Sequence, residues 1–172
     1  MSRAILRFFG LAVLWAASAL TAVAQSTIFV TRHCDRGPEE PDAALTPLGL
    51  RQADDLGRLL GDAGIKHVYT TELTRTQQTA APTAKRAGVT PVVVDQKDFD
   101  DLIAKVRATL RDGEATLVVG HRGTVPRIVK ALSGREIPPL AFDEFTRLIA
   151  ITLFPDGRAS VVTLRYGTKP GS

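Results

Sequence analysis

The chain has 172 residues, of which 44% are hydrophobic, a content that suits one folded domain and excludes a disordered chain. The formal net charge is +4, and it falls to +2 without the N-terminal segment that carries Arg3 and Arg7. No basic run or basic-aromatic alternation is present, so the charge does not indicate nucleic acid binding. The single cysteine, Cys34, excludes an internal disulfide.

The first 24 residues have the order of a secretory signal peptide. Two arginines precede an apolar run over residues 8–20, and Ala22-Val23-Ala24 is a small-x-small cleavage site before Gln25. An uncleaved membrane anchor is the alternative, but the run is shorter than the ~20 residues of a spanning helix. We therefore expect residues 1–24 to be removed, residues 25–172 to form the mature domain, and the protein to lie in the periplasm or outside the cell without a stable membrane anchor.

Hydrophobic periodicity and turn residues predict strands alternating with helices along the mature chain. Thr46-Pro47 is a typical helix start, Pro82 should kink or end the second helix, and Pro155-Asp156-Gly157 predicts a hairpin turn. The predicted strands cover residues 26–31, 67–70, 91–94, 115–119, 147–154 and 159–165, and the helices cover residues 46–62, 74–86, 98–112 and 124–133.

This alternation predicts a three-layer α/β sandwich. Its central sheet should be mostly parallel, with helices on both faces and an antiparallel hairpin at one edge. In the first helix, Leu48, Leu56, Leu59, Leu60 and Ala63 are expected on one buried face. In such sheets ligands bind at the carboxyl ends of the strands.

Two of the three histidines follow buried strands directly. Ile28 to Thr31 is an apolar, mostly β-branched run that ends in Arg32-His33, and Ala115 to Val119 ends in Gly120-His121. Gly120 would let the backbone turn tightly. We expect His33 and His121 to meet at the carboxyl edge of the sheet, whereas His67, at the start of a strand, is expected to have no such role.

A third segment should reach the same edge. The run from Thr70 to Ala80 leaves a strand and opens a helix, with Arg75 in the first helical turn. Arginine forks suit phosphate oxygens, a nearby histidine can attack phosphorus, and a helix N-terminus adds backbone donors. These residues favour phosphoryl chemistry on a small phosphorylated substrate.

In these three segments the sequence resembles the histidine phosphatase superfamily, also called phosphoglycerate-mutase-like. The matching motifs are Thr31-Arg32-His33, the run from Thr71 to Ala80 around Arg75, and Val118-Val119-Gly120-His121. The order and surroundings of these motifs are similar over nearly the whole mature chain, most closely to small single-domain phosphatases, and the run from Arg147 to Gly167 resembles the closing hairpin of exported members.

The resemblance implies a phosphatase that works through a phosphohistidine and needs no metal or cofactor. His33 would be the nucleophile, Arg32 and Arg75 would hold the phosphoryl oxygens, and His121 would donate a hydrogen bond to the same group. The general acid stays open: Glu72 and Asp35 are candidates, as are Asp95 and Asp98. Cys34 and Arg122-Gly123-Thr124 depart from the family pattern, in which glycine usually follows the nucleophile.

Three alternatives remain open from the residues. A non-catalytic phosphate-binding or phospho-ligand-binding module would use the same site without turnover. A metal hydrolase would need His33, His121 and a carboxylate such as Asp35 around Zn²⁺, which the neighbouring arginines disfavour. A cysteine phosphatase would need an arginine six residues after Cys34, where the chain has Glu40. The substrate and the oligomeric state are not indicated.

Overall fold

The computed structural model describes residues 25–38, 41–111 and 113–167. The expected signal peptide, residues 1–24, and Glu40 lie outside these ranges. Within them, ten helices and strands follow each other in chain order: β1 Ser26–Arg32, α1 Pro47–Leu59, β2 Ile65–Thr71, α2 Thr74–Ala87, β3 Val92–Val94, α3 Phe99–Thr109, β4 Ala115–Gly120, α4 Thr124–Ser133, β5 Arg147–Leu153 and β6 Ala159–Arg165. No helix in these ranges combines the length and the apolarity needed to cross a membrane.

The strands form one six-stranded sheet in the order β3-β2-β4-β1-β5-β6. β3, β2, β4 and β1 are parallel to one another, while β5 is antiparallel to both β1 and β6. The predicted fold class is therefore confirmed: a mostly parallel sheet ends in an antiparallel edge hairpin.

Each face of the sheet is covered by one pair of helices. Alternate side chains of β1 and β4, such as Ile28 and Val118, pack with α3 and α4. Leu117 and Val119 point to the opposite face and pack with α1 and α2. Because the side chains of a strand alternate between faces, burial on both sides requires the continuous apolar runs seen in the sequence.

Two details of the helices differ from expectation. Leu59 is half exposed, because the buried face of α1 follows Ala53, Leu56 and Leu60, and Leu59 lies to its side. Pro82 does not end α2, which runs to Ala87. The backbone of Pro82 packs directly opposite Gly57 of α1, where an added Cβ would lie 2.9 Å from the Cβ of Pro82. The two helices therefore pack closely at this proline.

Candidate active site

The register of two neighbouring strands brings the two histidines together. Arg32 of β1 pairs with Gly120 of β4, so the next residue of each strand is a histidine. The backbone N–H of His33 donates to the carbonyl oxygen of Gly120 at 2.9 Å, which extends the ladder to the site. The two imidazole rings lie 5.6 Å apart between centroids, at an angle of 57°. His33 and His121 thus meet at the carboxyl edge of the sheet.

The His33 ring is held in one orientation by its own backbone neighbour. Its Nδ1 lies 2.8 Å from the carbonyl oxygen of Cys34, an acceptor that requires Nδ1 to carry the proton. The other nitrogen, Nε2, then keeps its lone pair. Burial lowers the pKa of His33 to about 3, and the charges of Arg32 and Arg75 act in the same direction. His33 is therefore a neutral imidazole with a free Nε2 at physiological pH.

His121 is placed by two threonines. Its backbone N–H donates to Oγ1 of Thr124 at 2.9 Å, and its Nε2 lies 3.3 Å from Oγ1 of Thr71. Gly120 is needed here for space and not for a positive φ, because an added Cβ would lie 2.8 Å from Oγ1 of Thr124. Burial, followed by the charges of Arg75 and Arg32, lowers the pKa of His121 to about 4.

Arg32 is buried beneath the loop that leads into β5. Its NH1 donates to the carbonyl oxygens of Phe142 at 2.7 Å and Glu144 at 3.3 Å, and its guanidinium carbon lies 4.0 Å from the ring centroid of Phe145. Burial and the charge of Arg122 lower the pKa of Arg32 to about 10, so it remains a cation at neutral pH. One nitrogen of Arg32 thus binds the loop instead of being free for a ligand.

Arg75 is linked to the segment that follows His33 through one buried hydroxyl. Oγ1 of Thr79 donates to the carbonyl oxygen of Arg75 at 2.7 Å and accepts from the backbone N–H of Cys34 at 2.9 Å. The NH1 of Arg75 donates to the carbonyl oxygen of Pro41 at 3.2 Å. This arrangement ties the start of α2 to the residue that follows His33.

Two guanidinium nitrogens at the site have no hydrogen-bond partner in the protein. In the described part of the chain, four buried side-chain polar atoms are unpaired, and Nε of Arg32 and Nε of Arg75 are two of them. A buried donor without an acceptor is costly, so such groups commonly mark a ligand site. The acceptor that suits two cationic N–H groups is an oxyanion.

The candidate acids make their hydrogen bonds to groups other than the two histidines. The carboxylate of Asp35 accepts from Oγ1 of Thr46 at 2.6 Å, at the start of α1. The carboxylate of Glu72 is exposed and accepts from the backbone N–H of Gln96 at 2.8 Å. Asp95 and Asp98 accept from the backbone N–H groups of Lys97 and Asp101.

Cys34 is fully buried in the core beside α1 and α2. Burial raises the pKa of its thiol to about 11, and its Sγ lies 3.5 Å from the hydroxyl of Tyr166. Because the thiolate is the reactive form, this environment does not favour a cysteine nucleophile. The side chain fills core space beside the two helices.

The residues that a zinc hydrolase would require do not cluster in the ranges described. Across residues 25–38, 41–111 and 113–167, no group of three or more His, Cys, Asp and Glu side chains is arranged to hold a metal ion. His67 lies apart from the site, with its Nε2 3.4 Å from a carboxylate oxygen of Glu114.

Three residues with clear contacts at the site were not identified from the sequence. Thr79 lies one helical turn after Arg75, a spacing that could have suggested it. Thr71 closes β2 at the same sheet edge as the histidines. Phe145 stacks on Arg32 from an irregular loop, and no periodicity in the sequence indicated it.

Comparison with known families gives one match in sequence. Residues 28–98 match the model of the histidine phosphatase superfamily (branch 1), a segment that includes His33 and Arg75. No curated protein sequence matches the chain significantly.

Solved structures of two phosphatases and a mutase share the fold. The protein histidine phosphatase SixA, in complex with tungstate, superposes with a TM-score of 0.64 at 19% identity over 81% of this chain and 96% of the other. A mycobacterial glucosyl-3-phosphoglycerate phosphatase gives 0.66 at 14% identity over 82% and 99%. Phosphoglycerate mutase from Plasmodium falciparum gives 0.60 at 16% identity over 87% and 96%. Residues 28–98 of this chain thus match the histidine phosphatase superfamily, and the chain has the fold of these solved structures.

Proposed function

We propose that the protein is a metal-independent phosphatase that hydrolyses a phosphomonoester or a related phosphorylated group through a phosphohistidine at His33. The observation that carries this proposal is the pair of unpaired guanidinium N–H groups, on Arg32 and Arg75, beside a neutral imidazole with a free Nε2. Positioning and charge compensation are the main requirements of phosphoryl transfer, and this arrangement supplies both.

The proposed reaction has two steps. The lone pair of His33 Nε2 attacks phosphorus, and the bond to the leaving group breaks with its electron pair going to that group. Water then attacks the phosphohistidine, the phosphorus–nitrogen bond breaks, and the lone pair returns to Nε2 as inorganic phosphate leaves. Arg32 and Arg75 offset the negative charge of the phosphoryl oxygens in both steps, and His121 donates a hydrogen bond to the same group.

The hydrogen bonds of the candidate acids affect which leaving groups the proposed enzyme can release. Since Asp35 and Glu72 bind Thr46 and Gln96, neither is held ready to protonate a leaving group. The proposed enzyme therefore acts best on substrates whose leaving group departs without a strong acid. The structurally similar SixA is a protein histidine phosphatase that binds tungstate, a tetrahedral oxyanion, which supports a phosphoryl site of this kind but leaves the substrate open.

Trapping the intermediate tests the proposal directly. Rapid quenching with a ³²P-labelled aryl phosphate should yield a phosphoenzyme that is labile in acid and stable in alkali. His33→Ala should abolish both label and turnover, while His67→Ala is the matched control because this histidine lies outside the site and should retain both. His121→Ala and Arg75→Ala should each lose roughly 10²-fold or more of the rate. A label on His121, or one with the stability of an acyl phosphate, would contradict the assignment.

A non-catalytic phospho-ligand-binding protein is the second candidate. The engaged carboxylates and Cys34 in the usual glycine position favour it. Such a protein would bind phosphate, measured by calorimetry, and would show no turnover of an aryl phosphate at any enzyme concentration.

Chelation separates the proposal from a metal hydrolase. The proposed enzyme should keep its activity after dialysis against EDTA, because its charge compensation comes from arginines. Loss of activity that Zn²⁺ or Mn²⁺ restores would favour a metal centre instead.

We also propose that the enzyme is exported, on the basis of the sequence of residues 1–24. Mass spectrometry of protein expressed in its native host should find a mature N-terminus at or near Gln25. Recovery of intact Met1 or Ser2 termini from a soluble cytoplasmic fraction would contradict export.

A further inference from the structure

A surface cavity adjoins the candidate active site. It lies between the loop that follows β1 and the loop that leads into β5, and it has a volume of about 490 Å³. Its principal lining side chains are Arg32, Asp35, Arg36, Phe142, Asp143 and Phe145. The volume falls within the range of small-molecule sites, which is roughly 300–1,000 Å³.

This cavity is continuous with the catalytic centre through two residues. Arg32 belongs to both, since it lines the cavity and carries one of the two unpaired N–H groups. The ring centroid of Phe145 lies 4.0 Å from the guanidinium carbon of Arg32 and 6.0 Å from the ring centroid of His33. A molecule whose phosphoryl group binds Arg32 at His33 would therefore have the rest of its structure within reach of the cavity.

The wall of the cavity is aromatic and unusually exposed. Phe142 is 68% exposed, although its backbone is fixed by the bond from Arg32 to its carbonyl oxygen. Core packing does not account for a large apolar side chain in this position, and exposed aromatic groups beside a site commonly contact ligands. The lining contains two arginines and two aspartates, so their formal charges cancel. The two phenylalanine rings, and not a net charge of the lining, would therefore select the ligand.

We propose that this cavity binds the leaving group of the substrate, that this group carries a planar aromatic ring, and that Phe142 is the residue that selects it. The proposal rests on the proposed phosphatase function and specifies its substrate class. A flat ring can stack on Phe142 or meet it edge to face, which contributes about 0.5–1.5 kcal/mol beyond the burial of area. The phosphoryl group would remain at His33, between the two guanidinium groups.

Non-hydrolysable phosphonates test this without requiring turnover. Calorimetry should compare phenylphosphonate, cyclohexylphosphonate and methylphosphonate on the full mature protein. The unchanged protein should bind phenylphosphonate roughly tenfold more tightly than methylphosphonate, with the non-planar cyclohexyl compound between them. Phe142→Ala should reduce the phenyl preference to near parity and leave the methylphosphonate affinity unchanged, while Phe142→Leu should keep only part of the preference.

Phe154→Ala is the matched control. Phe154 also lies beside an arginine: the guanidinium carbon of Arg158 is 5.7 Å from the Phe154 ring centroid. The corresponding distance from Arg122 to Phe142 is 5.9 Å. Phe154 lines a different surface, near the β5–β6 turn. Its substitution should not alter the preference. No phenyl preference in the unchanged protein, no phosphonate binding at all, or a preference that survives Phe142→Ala would each overturn the proposal. A phenyl preference without any aryl phosphate turnover would instead overturn the phosphatase function and leave the cavity assignment standing.

Discussion

The hydroxyl of Thr79 shows how a single residue can link two segments of the candidate site. It is fully buried and bonds both the backbone after His33 and the carbonyl oxygen of Arg75. Thr79→Val keeps the shape but leaves the N–H of Cys34 without an acceptor. We expect a loss of about 1–3 kcal/mol in the free energy of unfolding and a fall in kcat of roughly 10-fold or more, because Arg75 would shift relative to His33.

Two further variants separate positioning from general stability. Thr83 lies one turn further along α2, is equally buried and has no hydrogen-bond partner for its hydroxyl, so Thr83→Val should leave kcat unchanged. Thr79→Ser keeps the hydroxyl and should restore most of the rate. If Thr79→Ser is as slow as Thr79→Val, then the hydroxyl does not position Arg75.

Cys34 provides a second test at the level of one side chain. Its thiol is buried with a pKa of about 11, so we expect Cys34→Ser to retain most of the turnover measured with an aryl phosphate. The serine hydroxyl can keep the contact with Tyr166, which limits the cost of a polar atom in the core. A folded Cys34→Ser protein without activity would return the cysteine mechanism to consideration.

The contact between α1 and α2 governs stability at the level of elements. An added Cβ at Gly57 would lie 2.9 Å from the Cβ of Pro82 and 3.1 Å from its backbone carbonyl carbon, neither of which can rotate away. Gly57→Ala should therefore lower the free energy of unfolding by about 1–3 kcal/mol, measured by urea denaturation. Gly123→Ala is the control, because no atom would lie within 4 Å of its Cβ and its φ is −82°. Equal stability of both variants would show that the helices can separate without cost.

Sequence patterns predicted those parts of the protein that depend on periodicity. The apolar runs before His33 and His121 identified two parallel strands, and their register then placed both histidines at one edge. Local patterns were less reliable at single positions of the helices. α2 continues past Pro82 to Ala87, and Leu59 lies beside the buried face of α1 instead of on it. The aromatic wall formed by Phe142 and Phe145 was not predicted. These residues lie in an irregular loop, where no periodicity indicates which way a side chain points.

The whole molecule should become less stable in mild acid because of the imidazoles of His33 and His121. Burial lowers the pKa of His33 to about 3 and of His121 to about 4, from an unfolded value of 6.5. As the pH falls below 6.5, the unfolded chain binds two protons that the folded protein excludes, so the free energy of unfolding falls with it. At pH 5 this amounts to about 2 kcal/mol for each imidazole relative to pH 7.5.

Urea denaturation at pH 7.5 and pH 5 measures this loss. Burial raises the pKa of the partly buried Glu144 carboxyl, but its hydrogen bonds to Arg147 and Arg165 outweigh burial and lower that pKa to about 2. Its contribution to stability would therefore be lost only below its unfolded value of 4.5. Between pH 7.5 and 5 the histidines therefore dominate. His33→Asn and His121→Asn should each remove about half of the difference between the two pH values, and the double variant should remove most of it. An unchanged difference in the double variant would show that both imidazoles take up protons in the folded state, and that His33 is not the neutral nucleophile the mechanism requires.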